Sequence, residues 1–480
     1  MNKSGTSFFL PSLTIVITTA ALICFSTQKA VAQDDNSTDL DRNTDSLLNT
    51  IYRHLDEELG TSIFTNDSLF DVDANDSTDE DSPVSRSSHQ DFIFPSTTNP
   101  YQLTEVLRNN TIAYNPWEHI TNPLLVRYNR VEGLFLGLTD PAQYYWKDRH
   151  ITMFGSLGYG FAEHEWRCNG GASEQFGFGK HIFEVGAEGH RLTDTEDRWR
   201  VDEGENSISA VFTRFDYQDY FQREGFSIWT GYYLKPGSTA FQVRLAFLND
   251  NYNSLLASTN WAVFKTIDFF RPNPAIDDGK MKSFALNLDI QHLGSEKIFT
   301  VGWSASGSAE FAGNFTPSDF SFNRYEFDLR RYQPISSLEN IDVRVRAGSS
   351  LGDLPLQKIY ALGGISTLPA YSYKEFDGNR MLLANAEYLM SGRMLDVVPF
   401  FPSFLVRDAT FVVFTDAGYT SQSPDNASPV DGFSGVSMRN LKSDWGVAIG
   451  TRDAKVRLGL AWRMDVAQSP NVFLRMERGF

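Results

Sequence analysis

Cysteine, long apolar runs and positive charge are all scarce in this sequence. Only two of the 480 residues are cysteine. Cys24 lies in an N-terminal stretch that we expect to be removed, so Cys168 remains alone and no internal disulfide can form. Beyond that stretch there is no run of about 18 apolar residues, which excludes membrane-spanning helices. The net charge is −18, and a nucleic-acid partner, which would require a basic face, is not expected.

Residues 1–32 have the pattern of a secretory signal peptide. Lys3 gives a positive start, an apolar run follows, and Ala30-Val31-Ala32 matches a cleavage site of the A-x-A type. We therefore predict cleavage after Ala32. The alternatives are a membrane anchor, for which the run is short, and a lipoprotein, for which Ile23 stands where a small residue should precede Cys24.

Residues 33–100 are predicted to be an acidic, mostly disordered periplasmic tail. Fifteen acidic residues and three arginines lie between Gln33 and Gln90, so this segment carries most of the negative charge. Its Asp-, Ser-, Thr- and Asn-rich composition cannot bury enough apolar surface to offset chain entropy. The acidic run 71–82 lacks the glycine and glutamate of an EF-hand loop, and we predict neither a metal site nor a cofactor.

Residues 101–480 are predicted to form an all-β, transmembrane antiparallel barrel. Phe241, Val243 and Leu245 alternate with Gln242 and Arg244, and the same period recurs along the chain. An apolar face suits lipid and a charged face suits a wet lumen, whereas a soluble sandwich usually has shorter strands. The strand candidates are 124–138, 150–162, 178–192, 206–217, 224–234, 238–248, 281–293, 298–311, 320–332, 339–350, 381–392, 408–419, 444–452, 454–463 and 470–480.

These candidates are odd in number, but bacterial single-chain barrels have an even number of strands, with short inner turns and long outer loops. The short turn at 452–455 should therefore be periplasmic. Counting outward from it places 351–380 and 420–443 outside, so an odd number of strands must precede the first of these loops. We expect a sixteenth strand, most plausibly within 254–270.

The stretch 360–390 resembles the long extracellular loop and following strand of the BamA/TamA-type surface-antigen barrels of Gram-negative outer membranes. Family members carry Arg-Gly-Phe or Arg-Gly-Tyr at the loop tip, and here only the aromatic residue is kept. The resemblance implies a sixteen-stranded barrel whose loop lies across the lumen, without the POTRA modules that usually precede it. The loop motif consists of Gly363, Gly364, Leu368, Pro369, Ala370, Tyr371 and Gly378.

Three other stretches resemble the same family. Asp416 and Gly418 match a strand whose inward aspartate holds the loop-tip arginine in relatives. Because that arginine is missing, we expect Asp416 to be solvated or to pair with Lys374 or Arg380. The last strand ends at Phe480, like the signal by which such barrels are recognised for assembly. Members without POTRA modules carry stretches similar to Asp194, Asp197, Arg198, Trp199, Arg200, Asp219 and Tyr220.

The resemblance implies a bacterial outer-membrane protein that inserts or translocates other proteins through a seam between its first and last strands. The implied partners are outer-membrane lipid, unfolded outer-membrane proteins and, during its own insertion, the barrel assembly machinery. The alternative is a passive pore, surface antigen or anchor of the same fold. We do not expect an enzyme, because no G-x-S-x-G elbow occurs and His164, His181 and His190 lack the spacing of a zinc site.

Overall fold

The computed structural model describes residues 124–139, 151–178, 181–234, 239–264, 266–296, 298–313, 317–397, 406–437 and 439–476. The predicted signal peptide, the acidic tail and Phe480 lie outside these residues. The dominant element is a sixteen-stranded antiparallel sheet in which each strand pairs with its neighbours in chain order, and β1 and β18 are its two ends.

The strands of the sheet follow chain order and are joined by one helix-bearing loop and several irregular ones. They are β1 (Leu124–Asn129), β2 (Gly133–Thr139), β3 (Ile151–Gly160), β4 (Glu165–Phe178), β5 (His181–Asp194), β6 (Phe221–Leu234), β7 (Thr239–Ser254), β8 (Gly279–Glu296), β9 (Phe299–Ala312), β10 (Ser321–Ser336), β11 (Glu339–Asp353), β14 (Arg380–Ser391), β15 (Ala409–Ser421), β16 (Lys442–Thr451), β17 (Arg457–Arg463) and β18 (Asn471–Arg475).

In the described residues, the loops contain one α-helix, a pair of short strands and three 3-10 helices, Leu356–Lys358, Gly392–Val397 and Phe433–Gly435. Helix α1 (Glu203–Thr213) follows β5, and the short strands β12 (Tyr360–Leu362) and β13 (Phe376–Gly378) pair with each other between β11 and β14. Among the described residues, no helix is long and apolar enough to cross a membrane.

Alternate residues of the strands face opposite sides of the wall, as the sequence predicts. In β15, Val412, Phe414 and Asp416 are buried, whereas Val413 and Thr415 between them are exposed. The exposed side chains form an apolar belt around the sheet, and the buried side carries most of the charges. The fold is therefore a transmembrane antiparallel β-barrel of sixteen strands, which confirms the predicted class. Belt residues include Leu136, Val185, Ile228, Leu245, Leu288, Leu329, Val447 and Leu458.

The strand count is confirmed, but three predicted segments are wrong. The range 124–138 is a hairpin, β1–β2, and Gly133 adopts a φ of +65° at its turn. The range 206–217 holds helix α1 and part of a loop. Apart from Ser254, which ends β7, no strand occurs among the described residues of 254–270, which form a loop. The prediction missed β4 because its small residues hide the alternation, and it counted the β1–β2 hairpin as one strand. These two omissions offset the two segments that are not strands, and the total stays sixteen.

The long connections 195–220, 255–278, 354–379 and 422–441 all leave the same end of the sheet, here called the loop end. The turn 452–456 lies at the opposite end, together with the start of β1 and the end of β18. The predicted outward loops therefore share one end of the barrel with the helix-bearing loop.

Gly186 tests how tightly the inner wall is packed. A Cβ added there would lie 2.3 Å from Cζ2 of Trp229, whose indole N–H donates to Glu184 over 3.1 Å. We expect Gly186→Ala to lower the free energy of unfolding by about 1–3 kcal/mol, because the indole must shift. Urea titration of the barrel in detergent, followed by heat-modifiable gel mobility, measures this effect. Gly177→Ala, with nothing within 4 Å of the added Cβ, is the control, and equal midpoints would contradict the expectation.

Candidate functional site: the lumen plug and the seam

The loop between β11 and β14 folds back against the inner wall of the barrel. Leu362 and Leu368 lie so close to Gly418 that an added Cβ would be 2.8 Å and 3.0 Å from their methyl carbons. The loop thus occupies part of the lumen and needs a residue without a side chain on the wall beneath it. The shared core consists of Tyr360, Leu362, Leu368, Ala370, Tyr371, Met381, Leu383, Phe414 and Ala461.

Three glycines fix the course of this loop. Gly363 and Gly364 have φ angles of +116° and +83°, which strain any other residue. The N–H of Gly364 donates to the carbonyl of Leu368 over 3.0 Å and closes the loop behind its tip. At the other end, a Cβ on Gly378 would lie 2.5 Å from the carbonyl oxygen of Ser421, so this glycine allows the loop to approach β15.

The loop tip is held by a carboxylate that the sequence analysis did not single out. The backbone N–H of Ala370 donates to Oδ2 of Asp444 over 2.8 Å. Asp416, the predicted lumen partner, accepts from Asn385 over 2.6 Å, and Asn385 also donates to the carbonyl of Thr367 over 3.2 Å. Asp416 therefore supports the loop through Asn385. Asp444 stands directly opposite Asp416 on β16, a register that the sequence does not reveal.

The expected pairing of Asp416 with Lys374 or Arg380 is wrong. Lys374 Nζ instead lies 2.7 Å from Asp197 and 2.6 Å from Asp219. Arg380 donates to backbone carbonyls near the loop end of the barrel. It starts β14, five residues before the position that faces Asp416, which is roughly 17 Å along a strand.

The β5–β6 loop brings a second segment into the lumen. Trp199 is surrounded by three guanidinium groups, with ring distances of 4.7 Å to Arg200, 5.1 Å to Arg344 and 4.0 Å to Arg346. Arg200 donates to the carbonyl of Ala361 and its own carbonyl accepts from a serine of the other loop. We call residues 195–202 and 356–378 together the lumen plug.

The plug and the wall neutralise each other's charges. Lys358 lies 2.6 Å from Glu196 and 3.3 Å from Glu310 on the wall. Burial acts to lower the pKa of Lys358, but these two carboxylates outweigh it and raise the pKa above its usual value. On the wall itself, Asp328 accepts from three arginines, Arg330, Arg344 and Arg346. Buried charges are stable only when paired in this way.

Helix α1 lies where the sheet has its two edges. Among the described residues, no strand pairing joins β1 to β18. Instead, the N–H of Tyr128 on β1 donates to Ser207 Oγ over 3.1 Å, and the N–H of Met476 donates to Glu205 over 3.0 Å. Glu205 is also 3.3 Å from Arg475 on β18. We call this gap between β1 and β18 the seam.

The tip of the β1–β2 hairpin is anchored under the loops. Arg130 is fully buried and donates to the carbonyl of Gln218 over 2.6 Å, to Asp219 over 2.9 Å and to Asn273 over 3.0 Å. Its backbone N–H donates to Asp216 over 2.9 Å. The stretch that contains Asp194, Trp199 and Tyr220 is thus brought to both the plug and the seam.

Two features define the class of this protein: a plug inside a sixteen-stranded membrane barrel, and two sheet edges that have no strand partner among the described residues. The family model described as the Omp85 superfamily domain matches residues 195–467, more than half of the sequence. The chain belongs to the Omp85 superfamily, whose members are outer-membrane proteins, and this confirms the resemblance to the BamA/TamA-type barrels.

The structure is also similar to solved barrels, at low identity. BamA from Haemophilus ducreyi lacking POTRA domains 1–3 shares 12% identity, with a TM-score of 0.46 over 73% of this chain and 67% of that one. CdiB from Acinetobacter baumannii shares 10%, with a TM-score of 0.38 over 73% and 58%. CdiB from Escherichia coli shares 12%, with a TM-score of 0.37 over 73% and 60%. The chain therefore spans about three fifths of either CdiB. No curated protein matches the sequence.

Removing the acceptor at the loop tip should loosen the plug. We expect Asp444→Ala to cost about 1–3 kcal/mol, because it leaves the buried N–H of Ala370 without a partner. In planar bilayers the variant should open more often than the wild type. Asp444→Asn keeps an accepting oxygen and is the control. Equal opening frequencies for wild type and Asp444→Ala would contradict this role.

Lys374 joins the two halves of the plug, and Lys374→Ala should weaken that contact by about 1.5–3 kcal/mol, because both hydrogen bonds are charge-assisted. Bilayer conductance again measures the loss. Lys455→Ala is the control, since Lys455 is exposed on the turn 452–456 at the opposite end of the barrel. Increased opening in both variants alike would contradict the specific role of Lys374.

The same contact predicts a pH dependence. Burial acts to raise the pKa of Asp219, but Lys374, Arg271 and Arg130 lower it well below the usual value. This carboxylate therefore stabilises the plug fully above the unfolded pKa of about 3.9, and the stabilisation is lost only as the pH falls through the lower folded pKa. The difference in conductance between the wild type and Lys374→Ala should therefore stay constant between about pH 5 and 8, and a loss of that difference within this range would contradict the assignment.

Proposed function

We propose that this barrel inserts or translocates other outer-membrane proteins through the seam between β1 and β18. The observation that carries the proposal is the end of the backbone ladder at these two strands within the described residues. An uncovered strand edge is a template on which an incoming strand can pair. The side chains of α1 that now bond to these edges can be exchanged for such a strand.

Within the described residues, the strands on both sides of the seam are the shortest of the sheet. In the described residues β1, β2, β17 and β18 have 6, 7, 7 and 5 residues. A tilted strand needs about 9–11 residues to cross a membrane, and β8 on the other side has 18. Fewer ladder hydrogen bonds therefore hold the strands at the seam, which lowers the cost of separating them.

The lumen plug supports the same function, because it closes the lumen while the wall opens sideways. It touches the last strand at two points. Asn471 donates to the carbonyl of Pro369 over 3.3 Å, and Arg475 donates to that of Arg200 over 3.4 Å. In this proposal the protein resides in the outer membrane, the acidic tail is periplasmic, and unfolded outer-membrane proteins are the substrates. The machinery that assembles barrels inserts this one.

The second candidate is a passive pore of the same fold. It is favoured by the charges that line the lumen wall, such as Asp328 and Arg330. The plug opposes it, since it pairs with charges of that wall. Planar-bilayer recordings distinguish the two functions: steady conductance together with normal barrel assembly in depleted cells supports the pore.

The direct test is photo-crosslinking in intact cells. Val126 on β1 and Val472 on β18 both point outward beside the seam, with 55% and 67% of their surface exposed. A photoreactive residue at either position should capture outer-membrane proteins during their assembly, because the incoming strand pairs with these edges.

Val413 on β15 is the matched control, since it is also an outward valine, 51% exposed, but lies three strands away from β18. The proposal predicts adducts at Val126 and Val472 that are absent at Val413. Equal capture at all three positions, or no capture while the cells depend on the barrel, would refute it.

A further inference from the structure

We propose that α1 and residues 256–264 and 266–270, together called the seam insert, form a lipid-binding surface. Its polar side covers the edges of β1 and β18, and its apolar side binds acyl chains of the membrane. The inference shares the seam with the proposed function but does not require that the barrel transport anything.

The seam insert lies on the lipid side of the wall. Leu124, Val126 and Tyr128 alternate along β1 and so face the same way. Leu124 and Val126 belong to the exposed belt, whereas Tyr128 is only 7% exposed because Ala210 and Phe270 pack over it. The insert therefore covers an outward-facing residue of β1.

The polar side chains of α1 form hydrogen bonds within the protein. Asp202 caps the helix by accepting from the N–H of Gly204 over 2.7 Å. Glu205 and Ser207 bond to the two strand edges, and Asn206 donates to Asp216 over 3.0 Å. This side faces the barrel, which leaves the opposite side of the helix outward.

The two parts of the insert are joined into one surface. The N–H groups of Val263 and Phe264 donate to carbonyls of α1 over 2.8 Å and 2.9 Å. Arg214, which ends the helix with a φ of +65°, donates to the carbonyls of Ile267 and Asp268 over 2.7 Å and 2.6 Å. The ring of Phe264 lies 6.2 Å from that of Phe212 on the helix.

The outward side is apolar and aromatic. Ile208 and Phe212 are four residues apart and therefore lie on one face of the helix. A contiguous patch of this kind is unusual on a surface in water, whereas aromatic residues are typical of the rims of a membrane barrel. The large exposed side chains of the insert are Ile208, Phe212, Leu256, Trp261, Val263, Phe264 and Phe269, and Phe215 adjoins them.

Continuity with the lipid-facing belt identifies the occupant. Trp261 packs 6.0 Å from the ring of Tyr128, whose hydroxyl donates to the carbonyl of Trp261 over 2.7 Å. Tyr128 pairs with Leu134 of β2, which is itself exposed in the belt. The patch thus extends the belt across the seam, and hydrocarbon that covers the belt also covers the insert.

Fluorescence quenching by lipids brominated on their acyl chains tests this inference. Single cysteines replace Phe212 or Phe264 in a background in which Cys24 and Cys168 are serine, and each is labelled with nitrobenzoxadiazole in nanodiscs. Val126→Cys reports the belt. Val430→Cys reports a water-exposed loop, since Val430 is 74% exposed on the β15–β16 connection.

The inference predicts blue-shifted emission and quenching at positions 212 and 264 comparable to that at Val126. Emission and quenching like those at Val430 would overturn it. Arg214→Ala, which removes the side-chain hydrogen bonds that hold Ile267 and Asp268 to the end of α1, should reduce quenching at position 264 but not at Val126. Arg393→Ala, at the opposite end of the barrel, should change neither. Unchanged quenching at position 264 in Arg214→Ala would refute the claim that Arg214 joins the two segments into one surface.

The readout does not depend on transport. Strong quenching without crosslinks at Val126 and Val472 would remove the proposed function and leave the lipid-binding insert. Crosslinks without quenching would support the proposed function and refute the lipid-binding insert.

Discussion

A backbone N–H group in hydrocarbon has no water to bond, so every strand edge within a membrane needs a partner. The sheet described here has two such edges, at β1 and β18. Helix α1 supplies side-chain acceptors to both, Ser207 to Tyr128 and Glu205 to Met476. The position of the helix, its polar inner side and its apolar outer side all follow from this requirement. These side-chain acceptors bond one N–H at each edge without adding another strand to the ladder.

One segment of the plug, 195–202, and one segment of the seam insert, α1, are consecutive parts of the β5–β6 loop. Residues 195–202 lie in the lumen, where Lys358 and Lys374 bind carboxylates of this segment, and α1 begins immediately after them. The carbonyl of Arg200 accepts from Arg475 on the last strand. Displacement of α1 from the seam therefore pulls on the segment that fills the lumen. In the proposed function, this connection links the lateral opening of the wall to the plug.

The sequence was sufficient to predict the class of fold, because period-two alternation is strong wherever one face meets lipid. It failed where that pattern is weak or ambiguous. The small residues of β4 show no alternation, and Ile208, Ala210 and Phe212 alternate although they lie on a helix. The acidic residues that follow Asp202 are the sequence feature that indicates the start of a helix. The loop motif was identified from its glycines, but its partner Asp444 depends on strand register and its clamp Lys374 on a contact between distant loops.

The central claim is that α1, and not a neighbouring strand, satisfies the edge of β1. Amide hydrogen exchange at Tyr128, measured on the barrel in nanodiscs, tests it most directly. The account predicts slow exchange in the wild type and markedly faster exchange in Ser207→Ala, because that substitution removes the acceptor. Slow exchange in both proteins would show that β1 pairs directly with β18, and would contradict the account.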